Sequence, residues 1–283
     1  MGAAPSLATA RSLLFAPGDD VHKLAKALGS GADGVIADLE DGIAPSRRAA
    51  AREVVREALE AADGRCLRAV RVNRPGSEEL AEDLPAIEGL ALDAIVVPKA
   101  EPAALAELGE TGPPLIAIVE TSGGLRSTYD LAAAPRVAAL ALGALDLGVE
   151  LGLERRADGQ ELLFARARLV VDSAAAGVRP PFDTVFAALA DLAGLEEECG
   201  LARSLGLRGK LCVHPRQVEV VNAAFSPTAA ELERARLVVE AYERAEADGR
   251  GAIQVEGMLV DRPVAERARR LLEDAELSFP GEG

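Results

Sequence analysis

The chain has few cysteines and no tryptophan. Cys66, Cys199 and Cys212 are scattered over 283 residues and lack the paired spacing of a disulfide framework or a zinc cluster. Cys66 and Cys212 lie beside apolar runs, which predicts buried thiols. Aromatic residues are only 3% of the chain, but hydrophobic residues as a whole reach 49%. We therefore expect a globular protein with a large aliphatic core.

Positive charge and long apolar runs are also scarce. The formal net charge of −15 argues against a surface that binds nucleic acid or an anionic membrane. No apolar stretch is long enough to span a membrane, and the first residues lack the pattern of a secretory signal. These properties predict a soluble cytoplasmic protein without nucleic-acid or membrane partners. Local basic pockets for an anionic substrate remain compatible with them.

Short aliphatic runs alternate with helical stretches, which is the βα pattern of a parallel sheet. The predicted strands are residues 12–16, 34–38, 67–72, 94–98, 115–119, 137–142, 178–182 and 210–213. The predicted helices between them are residues 20–28, 46–61, 78–87, 102–108, 124–133, 160–176 and 192–205. Eight strands with intervening helices predict an α/β fold, a (β/α)8 TIM barrel, rather than an open sheet. The seventh strand is the weakest because prolines interrupt it.

The pattern changes after residue 225. Thr228 is placed to cap a helix over residues 229–247, residues 252–260 are predicted to be extended, and residues 263–275 form an Arg-rich amphipathic helix. This region is not another βα repeat. We therefore predict a barrel domain over residues 1–225 and a C-terminal helical lid or arm over residues 226–283 that packs on a neighbouring subunit.

Two acidic residues follow predicted strands. Glu120 comes directly after the run 115–119, and Asp146 follows the run 137–142. Carboxylates at the carboxyl ends of parallel strands point into the crevice where α/β folds bind ligands. Together they offer an oxygen-rich site for a hard cation such as Mg2+. Either residue alone would be interpreted as a helix cap, because Asp and Glu favour the first helical turn. The pair favours the metal.

Three further acids, Asp38, Glu40 and Asp41, crowd the end of the second strand. Such crowding needs a cation, an arginine or a proton nearby, unless the loop is simply solvated. Glu40 is the better candidate to hydrogen-bond metal-bound water or to orient an arginine, with Asp41 beside it. Arg71 ends the third strand, where its guanidinium could grip a carboxylate or a developing enolate, pair with one of these acids, or do both.

Lys99 and His214 also end predicted strands. A buried lysine can lose its proton and form a Schiff base, but an ion pair with a nearby carboxylate is the favoured interpretation of Lys99. A lone histidine at such a position is more often a hydrogen-bonded structural residue than a base, although its place keeps His214 a candidate. Neither residue is assigned to catalysis.

Taken together, these residues resemble the citrate lyase β-subunit group of the HpcH/HpaI aldolase and citrate lyase superfamily. The matching segments run from residue 12 to about residue 263: SLLFAPGDD, GVIADLEDGIAP, VRVNRPGS, VVPKAE, AIVETSGG, LGALDLGVELG, KLCVHPRQV and EGMLVDRP. No single segment is decisive, but their order and spacing make the match specific. The resemblance implies a (β/α)8 barrel, usually trimeric, with bound Mg2+.

The same resemblance implies roles for particular residues. It places Glu120 and Asp146 at the metal-ligand positions, and Arg71 at the position that binds the carbonyl and carboxylate of the substrate. It places Asp261, in MLVDRP, at the position of an aspartate that enters a neighbour's active site from a C-terminal lid. From its surroundings alone, Asp261 would be interpreted as a helix cap before Pro263.

One segment departs from the family pattern. An Arg-Pro-Glu-Arg run that often follows the first strand is replaced here by residues 19–23. The family's contacts with the phosphates of coenzyme A (CoA) therefore do not carry over to these positions. Lys23 and Lys26 are the candidate substitutes.

The function implied by the resemblance is Mg2+-dependent cleavage of a citryl-CoA-type 3-hydroxyacyl thioester to an acetyl thioester and oxaloacetate. The thioester would be carried on CoA or on an acyl carrier protein. The alternatives are a stand-alone citramalyl-CoA or malyl-CoA lyase, an aldolase acting on free keto acids, and a non-catalytic subunit. The last has no reason to keep Glu120, Asp146 and Arg71 together. Expected protein partners are further copies in a homotrimer and, in a larger complex, citrate lyase α and γ subunits.

Overall fold

The computed structural model describes residues 6–62 and 64–278. Among these residues, those up to Phe225 form one compact unit, and those from Ser226 onward form a second. The predicted domains also include residues 1–5, 63 and 279–283, which lie outside the described residues.

The larger unit is an α/β fold built on a parallel sheet of seven strands. In chain order the strands are β1 (Ser12–Pro17), β2 (Gly34–Asp38), β3 (Leu67–Arg71), β4 (Ala94–Val97), β5 (Leu115–Val119), β6 (Val137–Leu142) and β7 (Lys210–Cys212). Their order across the sheet is β6-β5-β4-β3-β2-β1-β7. The strands β2, β4 and β5 are buried at every position, as expected for a parallel sheet covered on both faces.

Helices follow most strands and cover one face of the sheet. They are α1 (Val21–Leu28), α2 (Arg48–Glu60), α3 (Glu78–Ile87), α4 (Pro102–Leu105), α5 (Ser122–Arg126), α6 (Thr128–Ala132), α7 (Ala144–Leu151), α8 (Leu163–Ala176), α9 (Leu192–Leu205) and α10 (Arg216–Phe225). The predicted helix over residues 124–133 is interrupted at Ser127, which ends α5 and precedes α6. Among the described residues, no helix has both the length and the apolar character to cross a membrane.

Alternate strand residues face two different cores. Leu14 and Val35 pack in a large core with the helix residues Leu24 and Val55. The other face forms a smaller core from strand and loop residues, and its buried members include none from the helices: Ala10, Leu13, Ile36, Leu67, Ala69, Ala94, Val96, Ile116, Ile118, Ala139, Ala141, Phe182 and Leu211. The sheet therefore curls around a core of its own side chains, as barrel-like sheets do.

The predicted seventh strand, residues 178–182, is not a regular strand. Only two isolated bridges form here, from Phe182 to Ala141 of β6 and from Asp183 to Lys210 of β7. Pro180 and Pro181 have no backbone N–H, so they cannot donate to a strand ladder. The sheet therefore has seven strands where the sequence predicted eight, with residues 182–183 lying between its two edges. We call residues 182–183 the seam.

The seam is also tied by buried charges. Asp183 accepts hydrogen bonds from Arg166 Nε at 2.8 Å and from Lys210 Nζ at 2.7 Å, and Lys210 Nζ also donates to Glu198 at 2.6 Å. The side chains of Arg166, Asp183 and Lys210 are fully buried. Charges buried this deeply are tolerated because each has an opposite partner.

The smaller unit contains α11 (Ala229–Ala247), β8 (Ala252–Val255), β9 (Met258–Asp261) and α12 (Arg262–Ser278). Thr228 caps α11 as predicted, in a reciprocal capping box with Glu231. The run predicted to be extended is an antiparallel hairpin that turns at Glu256 and Gly257, both with positive φ. Buried side chains of α11, β9 and α12 form its core: Ala235, Val238, Tyr242, Val260, Ala265 and Ala268.

Candidate active site

The carboxyl ends of neighbouring strands bring the predicted residues to one edge of the sheet. Asp38 is the last residue of β2, Arg71 is the last residue of β3, and Glu120 directly follows β5. Because the strands are parallel, these ends meet at the same edge, where α/β folds place their active sites. Asp38 and Glu120 are both buried.

Glu120 is held in one position by its surroundings. Its Oε1 accepts a hydrogen bond of 2.7 Å from the backbone N–H of Lys99. A Cβ at Gly143 would lie 2.5 Å from both Cβ and Oε2 of Glu120, so the site requires a glycine there. Burial, together with the charges of Glu40 and Asp146, raises the pKa of Glu120 to about 7. A cation bound at this carboxylate would oppose that shift.

Asp146 lies in the first turn of α7 rather than at the strand end itself. Sequence analysis missed this helix, because it has only eight residues and glycines, Gly143 and Gly152, stand at both ends. The Asp146 side chain is 48% exposed, and its Oδ2 lies 3.9 Å from Lys99 Nζ. Its charge raises the pKa of Glu120, so the two predicted metal ligands act on each other electrostatically.

Arg71 is surrounded by acids. Its Nε and Nη2 donate to the two oxygens of Asp38, both at 2.7 Å, and this bidentate pair fixes the plane of the guanidinium. Nη1 lies 3.1 Å from Glu40 and 3.4 Å from Asp41, and the group stacks over Phe15 with its carbon 4.8 Å from the ring centre. Although burial lowers it, these acids raise the pKa of Arg71 above its ordinary value.

Glu40 joins Arg71 to Lys99. One of its oxygens faces Arg71 as just described, and the other lies 3.0 Å from Lys99 Nζ. Burial raises the pKa of Glu40, and Arg71 partly opposes that shift. Glu40 therefore lies between the two cations of the cluster, and its role in orienting Arg71 or binding metal-bound water stays a prediction.

Lys99 forms the ion pair favoured by the sequence analysis. Burial lowers its pKa, but the hydrogen bond to Glu40 and the surrounding acids raise it above the ordinary value, so the residue stays protonated. Its φ of 47° lies in the left-handed region, which non-glycine residues seldom adopt. A lysine whose ammonium is held in an ion pair with Glu40 does not suit a Schiff-base role.

A cleft of about 480 Å3 adjoins the Asp38 side of the site. Its lining includes the end of β1, Val213, Lys23 and Arg47. Lys23 lies 3.3 Å from Asp20, and its side chain is 68% exposed, whereas Lys26 is exposed on α1 and is not among the lining residues. Sequence analysis missed Arg47, because nothing in its local sequence shows that its side chain forms an ion pair with Asp19 in the β1–α1 loop.

Two other candidates make local structural contacts. His214 is half-buried, and its Nδ1 accepts a hydrogen bond of 3.1 Å from the backbone N–H of Arg216, which is a structural turn contact. Asp261 belongs to the smaller unit, where its Oδ1 accepts from the backbone N–H of Val264 at 3.3 Å. That contact is the helix cap expected from its surroundings alone.

The donor set at the edge of the sheet suits Mg2+. Within the described residues, no group of three or more His, Cys, Asp or Glu side chains could hold a metal. Two carboxylates are nevertheless enough for Mg2+, which keeps several waters and takes one or two protein carboxylates. The cluster also carries more negative than positive groups: Asp38, Glu40, Asp41, Glu120 and Asp146 against Arg71 and Lys99. This excess favours a bound cation.

Comparison with known proteins decides the family. The family model described as HpcH/HpaI aldolase/citrate lyase matches residues 11–215. The chain belongs to this family. The resemblance predicted from the sequence is therefore confirmed, and the protein is an enzyme of a lyase and aldolase family.

Relatives within the family carry different activities. The chain is 37% identical over 271 residues to a (3S)-malyl-CoA thioesterase of Cereibacter sphaeroides, covering 94% of each chain. It is 35% identical over 279 residues to citrate lyase subunit beta of Leuconostoc mesenteroides subsp. cremoris, covering 93% of this chain and 92% of the other. Family membership therefore does not determine which thioester is the substrate or which bond is cleaved. These depend on the residues of the site.

Solved structures of relatives contain ligands. Protein CitE from Mycobacterium tuberculosis, in complex with magnesium, acetoacetate and coenzyme A, shares 35% identity with a TM-score of 0.83, covering 95% of this chain and 98% of that one. The citrate lyase beta subunit from M. tuberculosis complexed with oxaloacetate and magnesium shares 35% identity with a TM-score of 0.70, covering 78% and 98%.

Proposed function

We propose that this protein is a Mg2+-dependent carbon–carbon lyase that cleaves a citryl-CoA-type 3-hydroxyacyl thioester to an acetyl thioester and oxaloacetate. The observation that carries the proposal is the chain of contacts at one edge of the sheet, in which Glu40 and Lys99 link Arg71 to Glu120 and Asp146. A metal site and a guanidinium side by side suit a substrate with a hydroxyl and a carboxylate at one end. The magnesium complexes of the relatives from M. tuberculosis support this choice of metal.

Glu120 and Asp146 are the residues that would hold Mg2+. When bound, the ion supplies a Lewis acid and a template for the oxygens at the acid end of the substrate. The Lys99 backbone N–H donates a hydrogen bond to Oε1 of Glu120, and the absence of a side chain at Gly143 leaves room for Oε2. The chain thus fixes the carboxylate before any ligand arrives, which reduces the reorganisation needed for catalysis.

Arg71 would bind the carboxylate of the keto acid. Asp41 makes the longest of its acid contacts, 3.4 Å, and is itself 57% exposed, so a substrate carboxylate can replace it. Asp38 would keep the guanidinium plane in place during that exchange. The positive charge of Arg71 would then offset the charge that develops near the departing enolate.

Asp261 would deliver or remove the proton at the methyl carbon of the acetyl thioester. We assign it to the site of a neighbouring subunit, with residues 226–283 acting as the lid or arm of a homotrimer and residues 1–225 forming its barrel-like domains. Residues of this kind transfer protons only within hydrogen-bonding reach of the reacting atom. The proposal therefore predicts a site completed by two subunits.

The cleft beside Asp38 would receive the thioester carrier. Lys23 and Arg47 are exposed and lie in its lining, where each pairs with an aspartate. Phosphates of CoA could compete with those aspartates for the two cations, and Lys26 would lie close by on the same helix as Lys23. An acyl carrier protein could use the same cations through its phosphopantetheine.

A malyl-CoA or citramalyl-CoA substrate is the second candidate, because the chain is 37% identical to a (3S)-malyl-CoA thioesterase. The test is a panel of citryl-CoA, citramalyl-CoA and malyl-CoA with Mg2+. Carbon–carbon cleavage yields a keto or aldehyde acid and leaves the new thioester intact, whereas hydrolysis releases a free thiol. Oxaloacetate formed from citryl-CoA without thiol release supports the proposal. Thiol release as the main reaction would contradict it.

The shared site has its own test. Asp261→Ala and Arg71→Ala protomers are each expected to be inactive, but mixed oligomers should recover part of the activity because some sites then contain both residues. Equal amounts are unfolded, mixed and refolded, and the turnover is compared with that of each variant refolded alone. Absence of recovery in mixtures that do assemble would refute a site built from two subunits.

A further inference from the structure

Lys99 reaches the site through two separate donors. Its backbone N–H binds Glu120 at 2.7 Å, and its ammonium lies 3.0 Å from Glu40 and 3.9 Å from Asp146. The left-handed backbone at φ 47° lets the same residue present both donors. Because an L-residue with a long side chain pays a steric cost for this conformation, glycine would be the easier choice if only the backbone mattered. The side chain therefore needs its own explanation.

The two contacts of the ammonium are different. Glu40 is 6% exposed and meets the ammonium at the distance of a charge-assisted hydrogen bond. Asp146 is 48% exposed and lies beyond hydrogen-bonding distance, so it interacts with the ammonium mainly through charge. Glu40 thus anchors the ammonium next to a carboxylate that is a metal ligand in the proposed function.

We propose that Lys99 is a tethered counter-ion of the metal site, a positioning residue that weakens Mg2+ binding and so keeps the ion exchangeable. The inference rests on the metal site of the proposed function. Without Mg2+, the ammonium offsets part of the repulsion between the carboxylates of Glu40, Glu120 and Asp146. With Mg2+, the same ammonium is a like charge beside the ion. An anionic substrate would relieve that repulsion and favour joint binding of substrate and metal.

The expected size of the effect follows from Coulomb's law. The side chain of Lys99 is 32% exposed, so its charge is only partly screened, and the dielectric of water sets a lower bound on the interaction. At that bound, removal of one positive charge a few ångströms from a divalent ion raises the affinity for the ion by about tenfold. The sign is opposite to that of a purely structural residue, whose loss would disorder the ligands and weaken binding.

The experiment is isothermal titration calorimetry of Mg2+ into the purified full-length protein. Lys99→Met and Lys99→Gln remove the charge, and Lys99→Arg retains it. Arg126→Met is the matched control, because it removes one exposed positive charge from α5 of the same unit. We expect the Kd for Mg2+ to fall about tenfold in the two neutral variants and to stay within about twofold of wild type in the other two.

Thermal unfolding supplies a second readout. Lys99→Met is expected to unfold at a lower temperature than wild type without Mg2+, and to gain more from added Mg2+. If Lys99→Met does not fold, Lys99→Gln retains a donor towards Glu40 and carries the test. If wild type binds Mg2+ and the neutral variants bind it equally well or more weakly, the inference about Lys99 is overturned and the metal site is not. Absence of Mg2+ binding in every protein overturns the metal site itself, and the inference with it.

Discussion

Replacement of Glu120 by glutamine is expected to stabilise the metal-free protein. The pKa of Glu120 is raised from 4.5 to about 7, so the folded chain holds its proton more tightly than the unfolded chain does. Stability linked to this group is therefore present at acid pH and is lost as pH rises through about 7. At about 1.4 kcal/mol for each pKa unit, the ionised carboxylate costs about 3 kcal/mol above that pH. Glutamine keeps the acceptor for Lys99 and removes the charge.

The assay is urea unfolding of Glu120→Gln and wild type at pH 5 and pH 8 without metal. We expect the variant to be more stable by about 2–3 kcal/mol at pH 8, with the difference shrinking at pH 5. Glu57→Gln, on the exposed face of α2, serves as the matched control and should change little. Added Mg2+ should raise the stability of wild type at pH 8 and have little effect on the variant.

Two results would refute this reasoning. A variant less stable than wild type at pH 8 would show that the carboxylate is already compensated in the metal-free fold. Equal stabilisation of wild type and variant by Mg2+ would place the ion elsewhere.

Three further changes test other parts of the structure. Gly143→Ala puts a Cβ 2.5 Å from Glu120, so we expect turnover to fall about 100-fold and the Mg2+-induced rise in Tm to shrink; full activity would contradict the contact. Arg71→Lys keeps the charge but loses the bidentate bond to Asp38, so kcat/KM should fall at least about tenfold, and unchanged steady-state kinetics would refute the assigned role. Asp183→Asn breaks buried ion pairs and should cost about 3–5 kcal/mol in urea unfolding. Burial raises the pKa of Asp183, but Lys210 and Arg166 lower it overall, so its contribution is present above about pH 4 and is lost as pH falls. An acid-unfolding midpoint unchanged in Asp183→Asn would contradict that assignment.

Much of the sheet could be predicted because its strands are buried on both faces. Runs such as 115–119 and 137–142 are continuous stretches of apolar residues, and they end where the sequence places Glu120 and the turn towards Asp146. The segment 178–182 was wrongly predicted to be a strand, because composition does not show that Pro180 and Pro181 leave only isolated bridges. The short helix α7 was missed since its glycines hide the helical period.

The acidic residues and Arg71 of the candidate site could be recognised in the sequence, because charged residues at strand ends stand out against apolar runs. The contact between Gly143 and Glu120 was not, since it joins two different strands in space. The two contacts of Lys99, through its backbone N–H and its ammonium, depend on a φ of 47°. A lysine seldom adopts this φ, so the sequence does not predict it. Its placement is a property of the tertiary structure.

The seam helps to determine which residues pair with the two edge strands, β6 and β7. A slip of residues 182–183 by one position would turn Phe182 towards the helices and Asp183 towards the apolar interior of the sheet. Arg166 and Lys210 would then lose Asp183 and keep only Glu198 as a shared acid partner in a region that excludes water. A shifted pairing is therefore destabilised twice, by a displaced aromatic ring and by two buried cations that share a single carboxylate. These two costs favour the native pairing at a segment where the prolines cannot donate backbone hydrogen bonds.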